Sequence, residues 1–207
     1  EFLMKKKIVL LVLLIVGMFV LSGCYEDSTI NTYSDPSFSK DSITKLAVFP
    51  MQNTRLAPGE SRQINRSISQ GIHNVDSGIE IMSATEATNI LNEEGLTDEW
   101  ADFLENYASS GVPNTNTLFK VGDALNVDGI MQGEIVDVHQ SDGTYGGNRA
   151  VSRVTVRYSI LGTDAGKLLW EATSRGSKET ATTLADAPPL IEVIQLAQDK
   201  ILENLPF

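Results

Sequence analysis

The chain of 207 residues has a single cysteine, Cys24, so no disulfide can form within it and the core must hold by packing alone. It has two histidines, His73 and His139, neither with a second His or Cys at metal-ligand spacing. Both read as surface residues, and no metal is expected. Basic residues are few, 16 Lys and Arg against 27 Asp and Glu, for a net charge of −11. That balance repels nucleic-acid phosphates and excludes a polybasic grip on anionic lipid. The one extended apolar run, from Ile8 to Leu21, is about 14 residues and falls short of the ~20 a spanning helix needs. Signatures of catalysis are missing as well. No Gly-x-Ser-x-Gly elbow occurs, and no Asp-x-Asp-x-Asp-Gly calcium loop. The glycine-rich stretch Gly143-Thr144-Tyr145-Gly146-Gly147 lacks the Lys-Ser/Thr ending of a phosphate cradle. The acidic residues Glu93, Glu94, Asp98, Glu99, Asp102 and Glu105 read as solvated helix faces. The reading is therefore non-enzymatic, with no cofactor.

What is present begins with residues 4–24. Lys5, Lys6 and Lys7 precede the apolar run, and Leu21-Ser22-Gly23 leads into Cys24, the order of a secretory signal peptide. The ending resembles the lipobox of bacterial lipoproteins, which implies cleavage before Cys24 and diacylglycerol on its thiol. Residues 1–23 are thus expected to be a signal peptide, with residues 1–3, ahead of Met4, a cloning scar or a misplaced start. Cleavage removes Glu1 and the three lysines and moves the net charge to −13. Acyl chains on Cys24 would then be the membrane anchor. Tyr25, not Asp, follows the cysteine, and the resemblance places such a protein at the outer membrane with its domain facing the periplasm.

Residues 24–44 are rich in Ser, Thr, Asp and Asn and are expected to form a lipidated flexible tether. The globular part is expected over 45–207. Lys45-Leu46-Ala47-Val48-Phe49-Pro50 reads as a buried strand. Ile64, Ile68, Ile72 and Val75 then recur at helical spacing over residues 61–75. Ile79-Glu80-Ile81-Met82 is a second short strand, and Ser83 or Thr85 can cap the next helix, with Glu86 three residues after Ser83 completing a capping box. Trp100, Phe103, Leu104 and Tyr107 share one face of a helix over 98–109, and another helix ends near Asn126. Beyond it the period changes. Residues 127–138 read as a long strand, and Val154, Val156, Tyr158 and Ile160 alternate with polar residues. Thr163-Asp164-Ala165-Gly166-Lys167 is a hairpin turn before a return strand through Trp170, and a final helix follows Pro188-Pro189. The fold class expected is α/β (α+β): a single domain of two or three layers, with a mixed sheet of about five strands flanked by helices in the order β-α-β-α-α-α-β-β-β-α.

Three segments carry a family resemblance: residues 45–53 (Lys45-Leu46-Ala47-Val48-Phe49-Pro50-Met51-Gln52-Asn53), residues 121–133 (Val121-Gly122-Asp123-Ala124-Leu125-Asn126-Val127-Asp128-Gly129-Ile130-Met131-Gln132-Gly133), and the turn at 163–170. Together they resemble a group of envelope lipoproteins. The group comprises the curli secretion lipoprotein, the activators of penicillin-binding proteins, the Pel polysaccharide lipoprotein and the N-terminal domain of the Tol translocation protein. The resemblance covers about residues 45–205. It implies a lipid-anchored accessory or assembly protein, a scaffold or adaptor for an export or cell-wall machine, with protein partners in the envelope and a homo-oligomeric ring as its assembled form. The alternative it implies is a subunit of a curli-type secretion pore, for which the hairpin over 127–161 would be the barrel candidate. Physically the motifs are architectural, and none is catalytic. Tyr145, Arg149, Arg153 and Arg157 form the one basic strip with an aromatic neighbour, a candidate surface for an acidic partner or glycan. The bland alternative is that these arginines pair with the domain's own carboxylates.

Overall fold

The computed structural model describes residues 25–52 and 55–207; the expected signal peptide and Cys24 lie outside them. Among the described residues there are six strands and five α-helices. In chain order they are β1 (Tyr25–Ser34), β2 (Lys45–Val48), α1 (Pro58–Val75), β3 (Glu80–Met82), α2 (Ala84–Glu93), α3 (Thr97–Ser110), α4 (Thr115–Leu125), β4 (Gly129–Ser141), β5 (Val151–Gly162), β6 (Lys167–Glu179) and α5 (Leu190–Leu202). One open mixed sheet results, ordered β1-β6-β5-β4-β2-β3. The strands from β1 to β4 in that order are antiparallel, and β2 is parallel to both β3 and β4.

The helices start and stop where local chemistry dictates. Pro58 opens α1, and the Glu60 carboxylate accepts the Ala57 N–H at 2.9 Å. Ser83 Oγ accepts from Glu86 N at 3.3 Å to cap α2, and Asn114 Oδ1 takes the N–H groups of Asn116 and Thr117 at the start of α4. Gly111 and Asn126 end α3 and α4 in the left-handed conformation.

Chain direction sets the layers. From β2 the chain steps one way to β3 through α1, then back past β2 to β4 through α2–α4. Right-handed crossovers in opposite directions put their helices on opposite faces. On one face Ile64, Ile68 and Ile72 of α1 and Val193, Ile194, Ala197 and Ile201 of α5 pack on Val154, Val156, Tyr158, Ile160 and Trp170. The other face is covered by α2–α4. Leu91, Trp100, Phe103, Leu118 and Val121 meet Ala47, Phe49, Ile130 and Leu161, and the rings of Phe49, Trp100, Phe103 and Tyr107 form a continuous stack.

The motifs behave as architecture. Asp128 accepts from Thr44 N, Thr44 Oγ1 and Lys45 N at 2.8, 2.7 and 2.9 Å, clamping the start of β2 to that of β4. Burial pushes its carboxyl up, but these hydrogen bonds outweigh it and hold the pKa below the ordinary value. Gly133 lies under the ring of Tyr158, where a Cβ would come within 2.5 Å of the ring carbons. The Tyr158 hydroxyl is wholly buried and hydrogen-bonded to Gln198 of α5.

Two expectations need correction. Residues 25–34, expected to be part of a flexible tether, form β1, paired antiparallel with β6 from Tyr25 opposite Glu179 to Ser34 opposite Trp170. The sheet accordingly has six strands, not about five. Composition misled because β1 is an edge strand with one solvent face, so only Ile30 needs to be apolar. Its ladder is made by backbone groups that any residue but proline supplies. The strand is locked at both ends. Lys178 of β6 binds Glu26 and also Glu192 of α5, each at 2.8 Å. Beyond the other end, Asp35 takes hydrogen bonds from Ser37 and Lys167, which hold its carboxyl down at about 2. Phe38 then packs edge-on against Phe207, with ring centres 6.4 Å apart.

Ile30 packs against the α5 side of the core. Ile30→Asn is expected to lower stability by about 1–2 kcal/mol in urea denaturation. An unchanged midpoint would show that this segment behaves as a tether.

Candidate interaction surface

The helices α2–α4 cover only part of their face of the sheet. Along β5 the odd-numbered side chains point to that face, and their character changes midway. Leu161 is buried under the helices, Ser159 lies at the margin, and Arg157, Thr155, Arg153 and Val151 are only half-buried. The register carries the change across neighbouring strands. Arg157 stands opposite Glu134 and Thr173, Thr155 opposite Asp137 and Arg175, and Arg153 opposite His139 and Ser177. Beyond β6, Tyr25, Asp27, Thr29, Asn31 and Tyr33 of β1 complete the row, and all five are exposed. The result is a polar, four-stranded, helix-free face.

At the margin Arg157 forms ion pairs with Glu134 and, at 4.0 Å, with Glu171. Ser159 Oγ donates to Glu171 at 3.1 Å. Gln132 donates to the carbonyls of Pro50 and Gly133 at 3.0 and 2.8 Å. The Tyr107 phenol of α3 reaches this cluster. Burial pushes its pKa up, and the Ser159 hydroxyl opposes that rise.

The structure treats the four candidate residues differently. Arg153 and Arg157 share the bare face, about 13 Å apart along β5. Arg149 precedes the strand and pairs with Glu179 at 3.4 Å. Tyr145 sits apart from them in the turn between β4 and β5, with 92% of its surface exposed. The strip is thus charge-compensated at Arg149 and Arg157, while Arg153 makes no ion pair among the described residues. Sequence inspection missed Arg175, Tyr25 and Tyr33. The signal available was the density of β-forming residues, Tyr25, Thr29, Ile30, Thr32 and Tyr33, within 25–33. His73 and His139 are exposed, and among the described residues no three His, Cys, Asp or Glu side chains group to hold a metal.

The hairpin β4–β5, the barrel candidate, is instead the centre of the open sheet. The face that carries Met131, Val154, Val156, Tyr158 and Ile160 is buried under α1 and α5, and its other face is polar beyond Ser159. Among the described residues no helix is long and apolar enough to cross a membrane.

No family model matches the sequence, and no curated protein matches it. Solved structures do match. A PelC variant from Paraburkholderia phytofirmans, solved as a dodecamer, superposes with a TM-score of 0.51 at 14% identity, over 87% of this chain and 99% of that one. The chain shares its fold with PelC. A second PelC dodecamer from the same organism gives 0.49 at 15% identity, over 87% and 99% of the two chains. Lipoprotein GNA1162 from Neisseria meningitidis gives 0.45 at 15% identity, over 78% and 99%. The expected likeness to the Pel polysaccharide lipoprotein is therefore found in the fold, at low sequence identity.

Removing Arg157 leaves Glu134 and Glu171 facing each other without a cation. Arg157→Gln is expected to cost about 1–2 kcal/mol. Arg153→Gln should stay within about 0.5 kcal/mol of the parent. Urea denaturation of the two variants side by side checks the contrast.

Proposed function

We propose that this protein is a lipid-anchored, non-enzymatic accessory protein of the cell envelope, a scaffold or adaptor for an export or cell-wall machine. The anchor is a diacylglycerol on Cys24 after removal of residues 1–23, the membrane is the outer membrane, and the domain faces the periplasm. The observation that carries the reading is the lipobox-like ending at Cys24, the chain's only cysteine, joined to a domain with the fold of PelC. The partner surface is the bare sheet face, with Arg153 on it, Arg157 at its helix-side margin and Arg149 at its other end, while Tyr145 stands apart in the turn beyond. A flat face with guanidinium groups, carboxylates and tyrosines offers hydrogen bonds and ion pairs to a polar protein partner. Assembly into a homo-oligomeric ring is the form we favour. PelC was solved as a dodecamer, and the edge of β1 presents unpaired backbone groups on the outside of the sheet.

Cys24→Ala should abolish membrane fractionation while leaving the domain folded by circular dichroism. A variant that still pellets with membranes after signal cleavage would remove the anchor reading. Negative-stain images of the detergent-extracted protein should show rings, and vesicles carrying it should not conduct ions. Conducting rings would favour a pore subunit, and a plain monomer would leave an adaptor without ring assembly.

A further inference from the structure

The correction at β1 changes how the domain would sit on a membrane. A tether of some twenty residues would hold it about 25 Å away. Instead, β1 starts at Tyr25, the residue that follows Cys24 in the sequence. The start of β1 is not free to swing, because Lys178 ties Glu26 to α5. Lipid on Cys24 would therefore bring one end of the sheet directly to the bilayer surface.

That end can be identified. Tyr25 pairs with Glu179, Glu179 with Val151, and Val151 with Ser141. The turn over 142–150 and the loop over 180–189 leave the sheet here and are bound together. Gly143 N–H donates to Ala185 O, Thr180 N–H to Ala150 O and Ala187 N–H to the Asp142 carboxylate, each at 2.9 Å. A Cβ on Gly143 would stand 2.3 Å from the Thr183 carbonyl, so the two loops touch backbone to backbone. They form a braced rim, and it carries unusual side chains for a solvent-facing turn. Tyr145 is 92% exposed and Leu184 69%, beside Tyr25 at 64%. Basic residues do not dominate there, since Asp142, Glu179 and Asp186 accompany Arg149 and Lys178. Contact with lipid would thus be interfacial, through an aromatic and an aliphatic side chain, and not through charge.

We propose that this rim rests on the bilayer, with Tyr145 and Leu184 entering the headgroup layer next to the acylated Cys24. The proposal rests on the lipid-anchor reading above. It fixes the domain's orientation, placing the β5–β6 turn and the α3–α4 loop with Val112 at the far end; Thr115 of that region donates to Gly166 O of the turn at 3.1 Å.

Acylation leaves Cys24 without a free thiol, so a nitroxide can be placed on one introduced cysteine in the full-length lipidated protein. Tyr145→Cys, Leu184→Cys and Val112→Cys, each reconstituted in phosphatidylethanolamine–phosphatidylglycerol vesicles, are compared by oxygen and nickel-complex collision rates. The expected result is an oxygen-to-nickel ratio several-fold higher at 145 and 184 than at 112. Equal, water-like ratios at all three sites in protein that floats with the vesicles would overturn the orientation and leave the anchor standing. Protein that fails to float would remove the anchor reading, and this proposal with it.

Discussion

The pairing of β5 with β4 on one side and β6 on the other is the constraint on which the remaining structure depends. All three strands are long, 13, 12 and 13 residues, and β5 presents Val154, Val156, Tyr158 and Ile160 on one side in unbroken alternation. Slipping the register by one residue would turn that set to solvent and bring Arg153 and Arg157 under α1 and α5. Everything else docks on this ladder. The helix α5 approaches β6 closely because Gly176 has no side chain; a Cβ there would meet the Val193 carbonyl at 2.5 Å. On the other side, β2 joins through the Asp128 clamp, and it brings α1–α3 and the aromatic stack with it.

The ladder also explains the bare face. The strands β4–β6 are longer than α2–α4 can cover, so the sheet runs beyond the helices and becomes polar where cover ends. Arg157 with Glu134 and Glu171 marks the boundary. A guanidinium there satisfies two carboxylates that would otherwise repel each other at the edge of a low-dielectric core. Beyond it the face is wet and mixed in charge. Fold alone does not assign a role. The likeness to PelC says how the chain is built, and the functional reading depends on where Cys24 joins it.

That junction has a mechanical consequence. On the lipid-anchor reading, a domain on a long tether could sample all orientations, whereas one whose first strand begins at the residue after the anchor could not. The polar edge strand therefore does more than complete the sheet, because it would convert a lipid attachment into a defined pose. The bare face, roughly perpendicular to the rim that carries Tyr145 and Leu184, would then look sideways along the membrane toward neighbouring molecules.

Much of this was legible in the sequence because local periodicity encodes both an element and the face it buries. The isoleucines of α1, the aromatic stripe of α3, the alternation of β5 and the turn at 163–167 each specify their element from neighbouring residues alone. The mixed sheet followed from their order, and the signal-like segment with its cysteine is a linear pattern needing no fold. Other features belonged to the tertiary structure. The strand β1 carries little hydrophobic signal because its ladder is backbone hydrogen bonding, which is nearly blind to composition. The partners of Arg149 and Arg157 depend on strand register, which brings Glu179, Glu134 and Glu171 across from other parts of the chain. The meeting of Tyr145, Leu184 and Tyr25 at one rim required knowing that the chain's first described residue pairs with the last residue of β6. Short-range patterns determine what each segment becomes; only packing decides which segments lie side by side.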